Sequence, residues 1–454
     1  MMSAHVRALA LSALAVTGCA GVACGVGIGP DITVLYIGEG DFSLYEKYGP
    51  VDDVVAFAFA TTSCNRGDVA AAWYTTGFEA NRHPVIAQQA YRLDDGIMEQ
   101  IGMAWLKHGF CAVNEPGCAT CQNTDCNTLG VGCADTYWAG LNANGLAPRA
   151  PINAATGNFP FPFTQTPTGN SIIRGRLQIN TGDIYDGATY LFEGQYVAWD
   201  DANAGNKMNN ASYRIISIDP TNYNVASIPG HTTVEGHTAM DAWQTLDPSV
   251  MLTKVDIPSD GRVEVASRVS DNGDGTWHYE YAVHNFNSHQ SVGAVTIPVP
   301  SGVTVTNIGF HDVNYHSGEA WDGTDWPGTR RENSVQWATT PFATNSNANA
   351  IRWASTYNFR FDADQPPTTG DATLGLFRDG SSTTAAVQIP GLTPVNCPGD
   401  VNGDNLVDFS DLNDLLDAWG SSGGPADIYP AGGDGSVDFG DLNELLDNWN
   451  LACD

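Results

Sequence analysis

Lysine is almost missing from this chain: Lys47, Lys107, Lys207 and Lys254 are its whole complement. Lysine and arginine together number 19 against 51 acidic residues, a formal net charge of −32. A surface so poor in cations repels phosphate backbones and anionic lipid, which argues against nucleic acid and membrane surfaces as partners. Long hydrophobic runs are missing too. Ala8 to Val16, the apolar stretch near the N-terminus, is too short to span a bilayer, and no later segment is long enough. Catalytic signatures are equally scarce, with no HExxH helix and no P-loop, and with GxSxG only at Gly420 to Gly424, after a helical stripe rather than at a strand-to-helix elbow.

What is present belongs to a folded, exported protein. Hydrophobic residues make up 42% of the 454 and aromatics 10%, which excludes global disorder and suggests two to four domains. His5 and Arg7 precede the short apolar run and small residues follow it, so 1–23 reads as a signal peptide cleaved after Ala23. Val16-Thr17-Gly18-Cys19 also fits a lipobox, in which Cys19 would carry lipid. Both routes lead to the extracellular space or the cell surface. There the eight cysteines from Cys64 onward are expected to form disulfides. Six of them, Cys64, Cys111, Cys118, Cys121, Cys126 and Cys133, allow fifteen pairings that sequence cannot choose between. The CxxC of Cys118 and Cys121 lacks the second cysteine pair or neighbouring histidines a zinc site needs.

The body reads as mainly β. Residues 24–245 form a Cys-rich, β-rich module of unassigned role. Within it Asp94-Asp95-Gly96 turns a hairpin between strand-like runs. Strand signals recur at Ser171 to Ile179 and Ala188 to Trp199, and the oxygen-rich stretch 200–206 reads as a solvated turn. Phe159-Pro160-Phe161-Pro162-Phe163 cannot join a central strand and is expected to lie extended against a core edge. From 250 to 390 the alternation is cleaner. Val263 to Val269 and Trp277 to Val283 flank the turn Asp271 to Gly275, and further runs, Ile351 to Trp353 among them, continue at the spacing of an antiparallel β-sandwich. Thr383 to Pro394 reads as a linker.

Ten histidines invite a search for catalysis. His311, Asp312 and His316, with Glu319 nearby, form the most polar cluster, and Trp321, Asp322 and Trp326 resemble a sugar-stacking loop. Hydrogen-bonded loop histidines and aromatic core lids explain the same residues, so no catalytic residue can be assigned.

The firmest chemistry lies at the C-terminal end, 396–454. Asp400, Asn402, Asp404, Asp408 and Asp411 occupy positions 1, 3, 5, 9 and 12 of a twelve-residue loop, and Leu406 offers its carbonyl at position 7. That spacing wraps a hard cation that takes six to eight oxygens, and calcium is the expected ion. Leu412, Leu415, Leu416 and Trp419 follow at helical spacing. Thirty residues on, the pattern returns as Asp434, Ser436, Asp438 and Asp441 with Leu442, Leu445, Leu446 and Trp449. Pro430 and Gly432 stand where that loop needs oxygens, so the second site is weaker unless Asp427 swings in. The two helices are expected to bury their stripes on each other. Cys397 and Cys453 bracket the pair, and a bridge between them would contribute about 4 kcal/mol in the chain-entropy model.

This tandem loop–helix pair resembles a dockerin, the small calcium module that anchors secreted bacterial proteins to cohesin-bearing scaffolds. The resemblance implies a cohesin-like or other cell-surface anchoring partner. At the recognition positions 10 and 11, where dockerins often carry small hydroxyl residues, this chain has Phe409-Ser410 and Phe439-Gly440. One functional reading is a secreted calcium-binding protein whose body is a binding or structural module, with polysaccharide as a candidate ligand. The alternative is a dockerin-bearing polysaccharide-degrading enzyme of glycoside hydrolase type, which rests on the resemblance of the tail alone.

Overall fold

The computed structural model describes residues 29–40, 42–77, 79–391, 397–404, 406–430 and 433–451. The signal-peptide reading, including Cys19, falls outside them, as does Cys453; Cys397 itself is disulfide-bonded.

The body is antiparallel β throughout. Its first module has two main sheets. A four-stranded sheet runs in the order Ile32–Ile37, Thr61–Asn65, Cys133–Tyr137, Glu115–Pro116. A ten-stranded sheet is built around the hairpin Val85–Asp94 and Ile97–Met103, where Asp95 and Gly96 supply the positive φ of the tight turn. This larger sheet curls toward a barrel. Its end strands meet where the Tyr45 hydroxyl lies 3.0 Å from that of Ser227 and Lys47 donates to the Asn222 carbonyl at 2.7 Å. Phe57, Phe59 and Phe192 fill the interior with their rings in contact.

Cys64–Cys118 and Cys121–Cys133 tie the four-stranded sheet to the neighbouring loop, and Cys111–Cys126 closes that loop on itself. Both cysteines of the CxxC therefore bond elsewhere.

The expected sandwich is present as two five-stranded sheets. One runs Met251–Asp256, Arg262–Asp271, Trp277–Asn285, Ser355–Ala363, Val305–His311; the other runs Gly328–Arg331, Ser334–Ala338, Val292–Pro298, Pro367–Leu376, Ser382–Pro390. Alternate residues point inward, so Val263, Val265, Tyr279, Tyr281, Phe359 and Phe361 meet Val295, Ile297, Trp337, Leu374 and Val387 in one core. Each such side chain contributes about 1.5–3 kcal/mol on burial. The outer face of the first sheet packs on the first module through Ala266 and Ala282 against Tyr91, Met98 and Leu191. Gln100 also accepts the Thr356 N–H at 2.7 Å, and Arg360 pairs with Glu99 at 2.7 Å.

Four local expectations are corrected. Thr383 to Pro390 is no linker: Ser382–Pro390 is a sandwich strand paired to Pro367–Leu376, with Ala385 and Val387 buried. The stretch after Trp199 is a helix, Trp199–Ala204, because buried Asp201 accepts from the Ile32 N–H and the Asn210 amide rather than from water. Only Leu177–Asn180 of the 171–179 run is strand. Ile351 makes a single bridge to Val292 instead of a strand.

The C-terminal module contains the two expected helices, Phe409–Asp417 and Phe439–Asp447, each opened by a reciprocal cap (Asp408 with Asp411, Asp438 with Asp441). Val407, Leu415, Val437 and Leu445 form its core. The stripes bury less than the spacing predicts, since Leu416 and Leu446 stay exposed on helices only nine residues long. The tryptophans cross instead: Trp449 packs edge-on against Phe409 and Trp419 against Phe439, an approximate two-fold arrangement.

Candidate metal centre

In the first loop the backbone turns around its own carboxylates. Asp400 Oδ1 accepts the N–H groups of Gly403 and Asp404 at 2.8 and 3.1 Å. Asp404 Oδ1 accepts that of Leu406 at 3.1 Å. Asp411, fully buried at the helix start, takes Val401 and Asn402 on Oδ1 at 2.8 and 3.1 Å and Asp408 on Oδ2 at 2.8 Å. Gly403, at φ +76°, occupies the left-handed conformation that so tight a turn requires.

The result is a gathering of charge. One carboxylate oxygen from each of Asp400, Asp404 and Asp411 lies within 4.8 Å of the other two. Oxygens sharing one calcium at about 2.4 Å sit no more than about 5 Å apart, so the spacing fits a single ion. Three like charges this close repel one another, and a divalent cation offsets that repulsion. An all-oxygen donor set without histidine or cysteine suits calcium over zinc.

Not every expected ligand joins this group. Asp408 Oδ1 caps the helix by accepting the Ser410 N–H at 2.7 Å, and Asn402 Nδ2 donates to Asp404 Oδ2 at 3.0 Å. In the second loop Asp441 repeats the role of Asp411, accepting from Ile428, Tyr429 and Asp438. Asp434 accepts the Ser436 N–H and Asp438 that of Gly440. Asp427 does swing in, taking the Asp434 and Gly435 N–H groups at 2.9 Å, one on each oxygen. Among the described residues these acids do not draw together as the first three do.

The other sequence candidates resolve into structure. His316 bonds the Met103 carbonyl at 2.8 Å and Ser317 at 2.8 Å; His311 reaches the Gln100 carbonyl. Glu319 accepts the backbone N–H groups of Arg149 and Ala150. Trp321 and Trp326 are buried, as is Phe159. His108, which the sequence sets with Lys107 beside Trp105 as polar groups in an apolar stretch, is hydrogen-bonded ring to ring to His83 at 2.7 Å beneath Phe110, Phe159, Phe161 and Phe163, a partner no local pattern indicates. Burial lowers both pKa values, that of His108 to about 3, so the rings stay neutral.

No family model matches this chain, and no curated protein matches it. Among solved structures it is similar to a serine-rich repeat adhesion glycoprotein from Streptococcus agalactiae, at 10% identity over 75% of this chain and 88% of that one, TM-score 0.21. A partial N-terminal region of an enterococcal surface protein overlaps at 9% identity, 82% and 96% coverage and TM-score 0.15. The B domain of a biofilm associated protein overlaps at 12% identity, 76% and 85% coverage and TM-score 0.14. Superpositions this loose carry no argument about shared fold or shared function.

Proposed function

We propose that this is a secreted or cell-surface protein whose C-terminal loop–helix pair binds calcium in its first loop and docks the chain to an anchoring partner of the cohesin type. The β-rich body serves as its binding or structural module. The observation that carries the reading is the convergence of Asp400, Asp404 and Asp411, with one carboxylate oxygen of each within 4.8 Å of the other two. When bound, calcium would neutralise these acids and fix the loop to the helix it opens. The docking half rests on symmetry. Phe409 and Phe439, the position-10 residues of the two loops, are 70% and 71% exposed, and Leu416 and Leu446 lie exposed on the same two helices. Exposed apolar side chains in matched pairs suit a partner surface. Three disulfides fit an oxidising compartment.

The test is capture of the full chain on a panel of immobilised cohesins, in calcium and in EGTA. Capture that needs calcium and is lost in Phe409→Ala/Phe439→Ala is the expected result. Equal capture in EGTA, or none across the panel, overturns the docking half.

A further inference from the structure

In the body, four aromatic side chains among the described residues are strongly exposed: Tyr36, Phe42, Phe110 and Trp138. Three of them line one cleft of about 460 Å³, within the roughly 300–1,000 Å³ range of small-ligand sites. Its floor is the outer face of the four-stranded sheet. Register places Tyr36 opposite Thr62 and Thr62 opposite Thr136, with Ala134 opposite Glu115 at the far edge. A bulge between Val34 and Tyr36 turns both Leu35 and Tyr36 into the cleft. Trp138 stands just past the end of its strand, 46% exposed, and Phe42 closes the rim at 78%.

Polar groups converge among these rings. Thr62 and Thr136 share a hydrogen bond at 3.0 Å. Glu39 is held in place, accepting the Thr233 N–H and hydroxyl at 2.9 and 2.7 Å with Arg214 at 3.8 Å. Glu115 is half-buried on the edge strand. No lysine or arginine lines the cleft.

We propose that this cleft binds a neutral sugar chain. Aromatic faces exposed to water pack on sugar C–H faces, while carboxylates and threonine hydroxyls accept and donate to sugar hydroxyls. Arg214 lies behind Glu39 and outside the lining, so the cleft presents carboxylates and no cation, and it disfavours uronic, sulfated or phosphorylated sugars. The three disulfides hold the platform still, since Cys64–Cys118 and Cys121–Cys133 anchor two of its four strands to the adjoining loop. A surface that does not reorganise keeps more of its contact energy as affinity. The inference deepens the binding role proposed for the body and is independent of the calcium loops.

The experiment is calorimetric titration of the full chain with cellohexaose, laminarihexaose, mannohexaose and xylohexaose, with an oligogalacturonate as the charged control. At least one neutral hexasaccharide binds; Trp138→Ala and Phe42→Ala each weaken it about tenfold, the scale of an anchoring aromatic. Phe110→Ala stays within about twofold of the parent. EGTA leaves the affinity unchanged, so failure of the docking reading does not touch this one. The cleft assignment is overturned if no neutral oligosaccharide binds at millimolar concentration, if the oligogalacturonate binds best, or if both aromatic variants retain full affinity. Phe42, the most exposed ring, can be removed without disturbing the core, so a misfolded Trp138→Ala would not leave the question open.

Discussion

The two loops of the C-terminal module share a plan and differ in outcome. Both helices begin with a buried aspartate that holds three backbone N–H groups, and both carry the same reciprocal cap. Yet only the first loop draws three carboxylates within reach of one ion. The difference is one of length and direction. Asp427 to Asp441 is three residues longer than Asp400 to Asp411 and contains Pro430, which has no N–H to turn the loop inward. Asp400 takes two loop N–H groups on one oxygen, whereas Asp427 divides them between both. Hydrogen bonding that shapes such a loop is thus separable from the ligand set that fills it.

The largest expected effect comes from Asp411→Ala. It strips three part-buried N–H groups of their acceptor, at about 1 kcal/mol each, and removes a candidate ligand. Thermal melting and calcium binding should both fall. Asp441→Ala removes the same three bonds in the second loop, so it should destabilise the module comparably while leaving calcium bound by the first. Loss of calcium from the Asp441 variant would erase the distinction between the loops.

A buried carboxylate with less support sharpens the same point. Glu193 in the body is fully buried and accepts the Ala239 N–H on one oxygen at 2.7 Å. Burial raises its pKa to about 8 against the Ala239 hydrogen bond, with Glu264 and Asp241 adding to the rise and the Tyr91 hydroxyl opposing it. The folded state therefore holds a proton that the unfolded chain releases near its ordinary value. Stability from this group is present at low pH and is lost as pH rises toward 8, by about a few kcal/mol in total. Glu193→Gln should flatten the pH dependence of the melting temperature over that window. An unchanged slope would show that Glu193 is already ionised.

Smaller effects separate the loops at their exposed acids. Asp404→Ala should weaken calcium binding by about tenfold or more with little change in the calcium-free melting temperature. Asp434→Ala, at the matching position, should change calcium affinity less than about twofold. Equal losses in the two variants would mean that both loops bind.

What sequence made legible was local. Gly96 and Gly275 mark turns wherever they fall, and the alternation of Val263 and Val265 with Tyr279 and Tyr281 needs no tertiary knowledge to read as a hairpin. The ligand aspartates lie within one loop, so their spacing speaks for itself. Hidden features depend on partners far along the chain. Asp201 belongs to a helix rather than a wet turn because the Ile32 N–H is there to receive it. Ser382–Pro390 looks like a linker because small and hydroxyl residues dominate it, and only Ala385 and Val387 betray the inward face. The aromatic cleft joins Tyr36 and Phe42 to Trp138, about a hundred positions further along, and no local pattern connects them. Of the second loop, sequence showed the missing ligands and the approach of Asp427, but not how its oxygens would be shared.

The central claim is that the first loop is a calcium site. Its most direct test is a calcium titration of the intact chain by calorimetry, parent beside Asp404→Ala. Saturable binding in the parent, weakened at least about tenfold in the variant, is the predicted result. A parent that takes up no calcium, or a variant that binds it as well as the parent does, would contradict the account.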